Sequence, residues 1–84
     1  MKIQNVVIIG SGTMGSGIAA HLCNANIPVT LLDLKTEISE KARDRIFKSR
    51  PPLLLDKSKI NNIKIGNIYD NFNVVKEADW IVEA

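Results

Sequence analysis

The stretch "VVIIGSGTMG", residues 6 to 15, constrains the fold of this chain more than any other. Residues 3 to 9, "IQNVVII", form an apolar, β-branched run that ends on Gly10, the pattern of a strand buried on both faces of a parallel sheet. Residues 14 to 25, "MGSGIAAHLCNA", are small and helix-compatible, with Met14, Ile18 and Leu22 four apart on one predicted face. "PVTLLD", 28 to 33, reads as a second strand, because Pro28 can occupy a first strand position and Val29, Thr30, Leu31 and Leu32 favour extended backbone. Strand, helix and strand joined by short connections imply a right-handed crossover between two parallel neighbours.

Between that first strand and helix stands "GSGTMG", residues 10 to 15. A G-x-G-x-x-G pattern alone is weak. Here it leaves a buried strand, opens a helix, lies inside one strand-helix-strand unit and precedes an acidic residue at the end of the second strand, so its context is that of a dinucleotide loop. Gly10 permits the tight turn, Gly12 bares the backbone where a diphosphate would approach, and Gly15 lets the helix pack close to the strand, with Gly17 and Ala19 keeping that face small. The free N–H groups around Thr13 and Met14 would then face the diphosphate with the helix dipole behind them. Asp33 stands 21 positions after Gly12, where a carboxylate accepts from ribose hydroxyls and repels a 2′-phosphate, so NAD is expected over NADP; Lys35 would soften that preference. A flavin domain shares the loop.

The rest of the chain extends this unit. Thr36 reads as the N-cap of a helix over 37 to 48, with Glu37 and Glu40 in its first turn and Ile38, Ala42 and Ile46 as its apolar stripe, stopped by Pro51 and Pro52. "LLLDKSKINN" reads as a loop with a short helical turn. "IKIG", 63 to 66, reads as a half-exposed third strand, "NVVKEA", 73 to 78, as one or two helical turns, and "WIVEA", 80 to 84, as a fourth strand of interior character. The expected fold is α/β, a partial Rossmann (doubly wound) fold with a parallel sheet of about four strands in order 3-2-1-4. Residues 1–84 then form one NAD-binding half-domain, βαβ-α-β-β.

Eighty-four residues allow a single domain with a thin stability margin. Eleven Lys and Arg against nine Asp and Glu, scattered along the chain, disfavour a nucleic-acid partner, which needs a basic patch. No stretch approaches the roughly 18 apolar residues of a membrane span, and "MKIQNVVIIGSG" lacks a leader's cleavage site. Cys23, the only cysteine, reads as a buried inert thiol and points to a reducing, cytoplasmic setting. His21, the only histidine, reads as structural, so no metal site is expected. Ser11, Thr13 and Ser16 have no base partner within the motif, and no catalytic residue is assigned.

"VVIIGSGTMGSGIAAHLCNANIPVTLLDL", followed by "ADWIVEA", resembles the opening of the 3-hydroxyacyl-CoA dehydrogenases. "SRPPLLLDKSKINNIKIGNIYDNF" is similar to the corresponding segment of long-chain members fused to an enoyl-CoA hydratase domain. The resemblance implies NAD-dependent oxidation of an L-3-hydroxyacyl-CoA to a 3-ketoacyl-CoA in fatty acid β-oxidation. It matches Gly10, Gly12, Thr13, Met14 and Gly15 to the diphosphate loop, Asp33 to the ribose acid, and Ala84 to a residue whose backbone lies near the cofactor. The family's catalytic histidine with its partner glutamate, and its substrate and dimerisation domain, fall beyond residue 84. The chain therefore reads as a truncated domain, inactive alone, with acyl-CoA a partner only of a complete enzyme. The competing expectation is a non-catalytic nucleotide-binding or self-associating module, joined through the exposed fourth strand.

Overall fold

The computed structural model describes residues 4–84. Ile3, where the first predicted strand begins, lies outside them. The elements are β1 (Val6–Ile9), α1 (Thr13–Asn24), β2 (Val29–Asp33), α2 (Thr36–Lys48), a 3₁₀ helix (Lys57–Asn62), β3 (Ile63–Asn67), α3 (Phe72–Lys76) and β4 (Trp80–Glu83). The four strands form one sheet in the order β3-β2-β1-β4, every neighbouring pair parallel. The predicted α/β fold and strand order are thus observed.

Register decides which side chains share a face. Val6 pairs with Val29 and Trp80, Ile8 with Leu31 and Val82, and Val29 with Ile63, so these residues point to one side of the pleat. There Val6, Ile8, Val29, Leu31 and Ile63 meet Ala19, Ala20, Leu22 and Cys23 of α1 and Ala42 and Ile46 of α2 in one buried cluster, with Val82 packed against it, which Leu54 and Ile60 close from the 50–62 connection. Burying a side chain such as Ile8 or Leu31 contributes about 1.5–3 kcal/mol relative to leaving it in water, so these central strands carry much of the fold. Val7 and Leu32 point to the opposite side and are also buried. That face lies toward α3, whose Val74 shares a groove with Val7 and Thr30.

Side chains tie the layers together. Ser39 Oγ donates to Gly66 O at 2.7 Å and to Thr36 O at 3.0 Å, and Arg43 donates to Ile63 O at 3.1 Å and Ile60 O at 3.3 Å, so α2 grips β3 and the turn before it. α1 ends in a Schellman motif: Asn26 takes φ +62°, its N–H donates to Cys23 O, and the Ile27 N–H donates to Leu22 O. Asn24 also holds the connection that follows α2, through Leu53 O and Leu55 N–H. The Arg50–Pro51 peptide in that connection is cis.

Several expectations need correction. Of the predicted α1 stripe, Leu22 is buried and Ile18 packs against the core, whereas Met14 is 70% exposed; the buried face is Gly15, Ser16, Ala19, Ala20, Leu22 and Cys23, and at the helix start, close to β1, it is made of small residues. Gly17 is exposed, and a Cβ there would meet nothing within 4 Å, so it does not serve close packing. Thr36 begins α2 instead of capping it; Lys35 is the cap residue, no side chain caps that end, and Thr36 Oγ1 instead accepts from Asn67 Nδ2 at 2.9 Å. Ile38 is exposed because the inward position belongs to its neighbour Ser39. β4 sits at the sheet edge, as the order 3-2-1-4 requires, with Trp80 and Ile81 nearly half exposed.

Candidate functional site

The carboxyl ends of β1, β2 and β4 meet at the glycine loop. Gly10 leaves β1 with φ +104°, a conformation that L side chains rarely adopt, while its N–H donates to Leu32 O at 2.9 Å. A Cβ on Gly10 would lie 2.5 Å from Ala84 O. Ala84 is fixed there by its own N–H, which donates to Ile9 O at 2.9 Å. A Cβ on Gly15 would overlap the Gly10 carbonyl, so these two glycines set how closely α1 approaches β1.

Gly12 differs from both. It is exposed, caps α1 with φ −69°, and a Cβ on it would meet nothing within 4 Å. The first intrahelical bond of α1 runs from Ser16 N–H to Gly12 O, so the N–H groups of Thr13, Met14 and Gly15 precede it; no described residue accepts from them. A helix start of this kind carries about half a positive charge and donors with no partner, which suits an anion such as a diphosphate. The Thr13 and Met14 side chains are exposed at the same end.

Asp33 ends β2 beside this loop. Its Oδ2 accepts from the Ser11 N–H at 2.9 Å and from Ser11 Oγ at 2.6 Å, and its Oδ1 accepts from the Leu34 N–H at 2.7 Å. The Ser11 hydroxyl is the main cause that holds the Asp33 carboxyl below its ordinary range; burial opposes it, and the Leu34 and Ser11 N–H groups add to it. Ser11 itself is 1% exposed. Its carbonyl accepts from Ser16 Oγ at 3.0 Å and from the Arg45 guanidinium of α2 at 3.0 Å.

Gly10, Gly15, Asp33 and Ala84 therefore converge, with Gly12, Thr13 and Met14 on the rim. Sequence reasoning missed Ser11 as a structural hub and Arg45 altogether. A polar residue at the second loop position was the available sign for Ser11, whereas nothing in spacing marks Arg45. His21 is exposed, in the third turn of α1 and away from its start. Cys23 is buried, its Sγ donating to Lys59 O at 2.8 Å, and desolvation pushes its thiol up despite Lys59 and Arg43 nearby. Among the described residues no group of three or more His, Cys, Asp or Glu side chains could hold a metal ion, and no helix is long and apolar enough to cross a membrane.

Residues 5–84 match the family described as "3-hydroxyacyl-CoA dehydrogenase, NAD binding domain". The chain belongs to that family. Its cofactor is accordingly NAD. Among relatives of this NAD-binding domain, a Deinococcus radiodurans protein named "Probable 3-hydroxyacyl-CoA dehydrogenase" is 37% identical over 91 residues, covering 100% of this chain and 26% of its own length. A rice protein (Oryza sativa subsp. japonica) named "Peroxisomal fatty acid beta-oxidation multifunctional protein" is 32% identical, covering 99% of this chain and 12% of its own. The crystal structure of (S)-3-hydroxybutyryl-CoA dehydrogenase from Ralstonia eutropha superposes with a TM-score of 0.72 at 30% identity, over 99% of this chain and 31% of that one. The NAD-binding domain thus spans about a quarter of the length of the Deinococcus relative.

Proposed function

We propose that residues 1–84 act as the NAD-binding half-domain of a 3-hydroxyacyl-CoA dehydrogenase, which oxidises an L-3-hydroxyacyl-CoA to the 3-ketoacyl-CoA in fatty acid β-oxidation. In this reading Gly10, Gly12, Thr13, Met14 and Gly15 hold the diphosphate, Asp33 takes the adenosine ribose, and the backbone at Ala84 borders the cofactor's path. The observation that carries it is the Asp33 carboxylate, hydrogen-bonded to the glycine loop at the carboxyl end of β2. The Deinococcus, rice and Ralstonia names support the reaction and its metabolic setting.

NAD, when bound, supplies the acceptor for the hydride. The chain's own residues bind and orient it. Unpaired N–H groups at the start of α1 meet the diphosphate, Gly12 leaves its approach free, and the ionised Asp33 favours free ribose hydroxyls over a 2′-phosphate. The acyl-CoA belongs to the complete enzyme, because no described side chain at this loop is a base free to take the hydroxyl proton. The lone buried Cys23 supports a reducing, cytoplasmic compartment.

Calorimetric titration of the 84-residue chain with NAD and NADP, beside an assay for 3-hydroxybutyryl-CoA oxidation, tests this reading. Saturable NAD binding, weaker NADP binding and no turnover are expected. Equal affinity for NADP, or oxidation by this chain alone, contradicts it.

The edge position of β4 supports one further reading, self-association. Trp80 is 46% and Ile81 44% exposed on a strand that, among the described residues, pairs only with β1 and so offers an apolar edge to a second copy. Sedimentation at rising concentration should show a dimer. A monomer throughout sinks the idea.

A further inference from the structure

A carboxylate that grips two ribose hydroxyls is expected to keep both oxygens open, yet Oδ2 of Asp33 already accepts two hydrogen bonds, both from Ser11. Each carboxylate oxygen has about two acceptor positions, so Oδ2 is filled. Oδ1 accepts only from the Leu34 N–H and keeps one position.

Ser11 is built for this contact. It is almost wholly buried, and every polar atom of it is used: the N–H and Oγ on Asp33, the carbonyl oxygen on Ser16 Oγ and Arg45. The Oγ–Oδ2 distance of 2.6 Å is that of a charge-assisted O–H···O⁻ bond, about twice as strong as a neutral one. Arg45, the cation that reaches this residue from α2, donates to the Ser11 carbonyl on the other side, so it fixes the loop.

We propose that Ser11 is a positioning residue for cofactor recognition: it locks the Asp33 carboxylate in one orientation through Oδ2 and leaves Oδ1 as the oxygen offered to the adenosine ribose. Arg45 and Ser16 hold Ser11 in place for that task. The inference rests on the assignment of Asp33 to the ribose. Ser11 touches Asp33 and not the ligand, so its effect on binding passes through the carboxylate.

The consequence is non-additive. Ser11→Ala removes the Oγ bond and should weaken NAD binding about 5- to 20-fold, the low end of a hydrogen bond to a charged group and below, because the effect passes through a neighbour. In an Asp33→Ala background the same change should cost less than about 2-fold, because the group it orients is gone. A merely structural serine would cost the same factor in both backgrounds.

The test combines calorimetric NAD titration of the four proteins in this cycle with carboxyl NMR titration of Asp33 in the wild type and Ser11→Ala. Support is a coupled loss of affinity together with an upward move of the Asp33 titration in Ser11→Ala. An unchanged Asp33 titration, or equal losses in both backgrounds, overturns the proposal. If the wild type binds no NAD, the carboxyl titration still decides whether Ser11 governs Asp33, and the cofactor reading fails separately. Should Ser11→Ala unfold, Arg45→Met loosens the same serine from outside: a raised NAD Kd with an intact fold supports the lock, and an unchanged Kd counts against it.

Discussion

Ala84 closes on Gly10: its N–H donates to Ile9 O at 2.9 Å, and its carbonyl oxygen lies 2.5 Å from where a Cβ on Gly10 would stand. Gly10 also holds φ +104°. Any side chain there faces backbone strain and a backbone collision together. Gly10→Ala should destabilise the chain by about 2–3 kcal/mol, read from urea denaturation. A loss under about 0.5 kcal/mol would mean that β4 gives way freely at its end.

The two helical glycines of α1 should respond in opposite directions. A Cβ at Gly15 overlaps the Gly10 carbonyl, so Gly15→Ala must push the helix off β1, at about 1–3 kcal/mol. At Gly17 a Cβ meets only open space within a regular helix. Gly17→Ala should therefore stabilise, by up to about 1 kcal/mol, through helix propensity. Thermal melts of the two variants decide it, and a shift of the same sign in both would refute the contrast.

Asp79 fastens β4 to the start of β1. Its Oδ2 accepts from the N–H groups of Gln4 and Asn5, both at 2.9 Å, and its own N–H donates to Asn5 O at 2.8 Å. The site is exposed, which limits its worth. Asp79→Ala should cost about 1 kcal/mol and should speed hydrogen exchange at Gln4 and Asn5 before other amides. Unaltered exchange at those two positions would show that backbone pairing alone holds this end.

The fold was legible because its order is written in local pattern. A β-branched run, a glycine turn, a small-residue helix and a second strand leave one topology, and the observed strand order follows it. The place of Asp33 beside the glycine loop was legible because loop-to-acid spacing is fixed by the geometry of the unit. What sequence did not carry was rotation about helix axes. Ile38 and Ser39 are neighbours in sequence, and only the Gly66 carbonyl across the interface decides that the serine turns inward. Met14 looked like core and is exposed. Arg45 reaches Ser11 across 34 positions, a contact that exists only once α2 has docked.

Acid should weaken this structure through Asp33. The Ser11 hydroxyl, more than the Leu34 and Ser11 N–H groups, holds its folded-state value below the unfolded one. A depressed carboxylate contributes stability that is fully present above the unfolded value and is lost as pH falls through the folded one. Stability against pH should therefore fall less steeply below the ordinary carboxylate range in Asp33→Asn than in the wild type. Parallel curves for the two proteins would mean that the carboxylate gains nothing from its partners on folding.

The central claim is that the loop from Ser11 to Gly15 and the end of β2 at Asp33 form one cofactor site. Backbone amide NMR during NAD titration tests it most directly. The expected result is saturable shifts at Gly12, Thr13, Met14 and Gly15 and at Asp33 and Leu34, with the amides of the 3₁₀ helix Lys57–Asn62 unmoved. Shifts centred on other residues, or none at millimolar NAD, would contradict it.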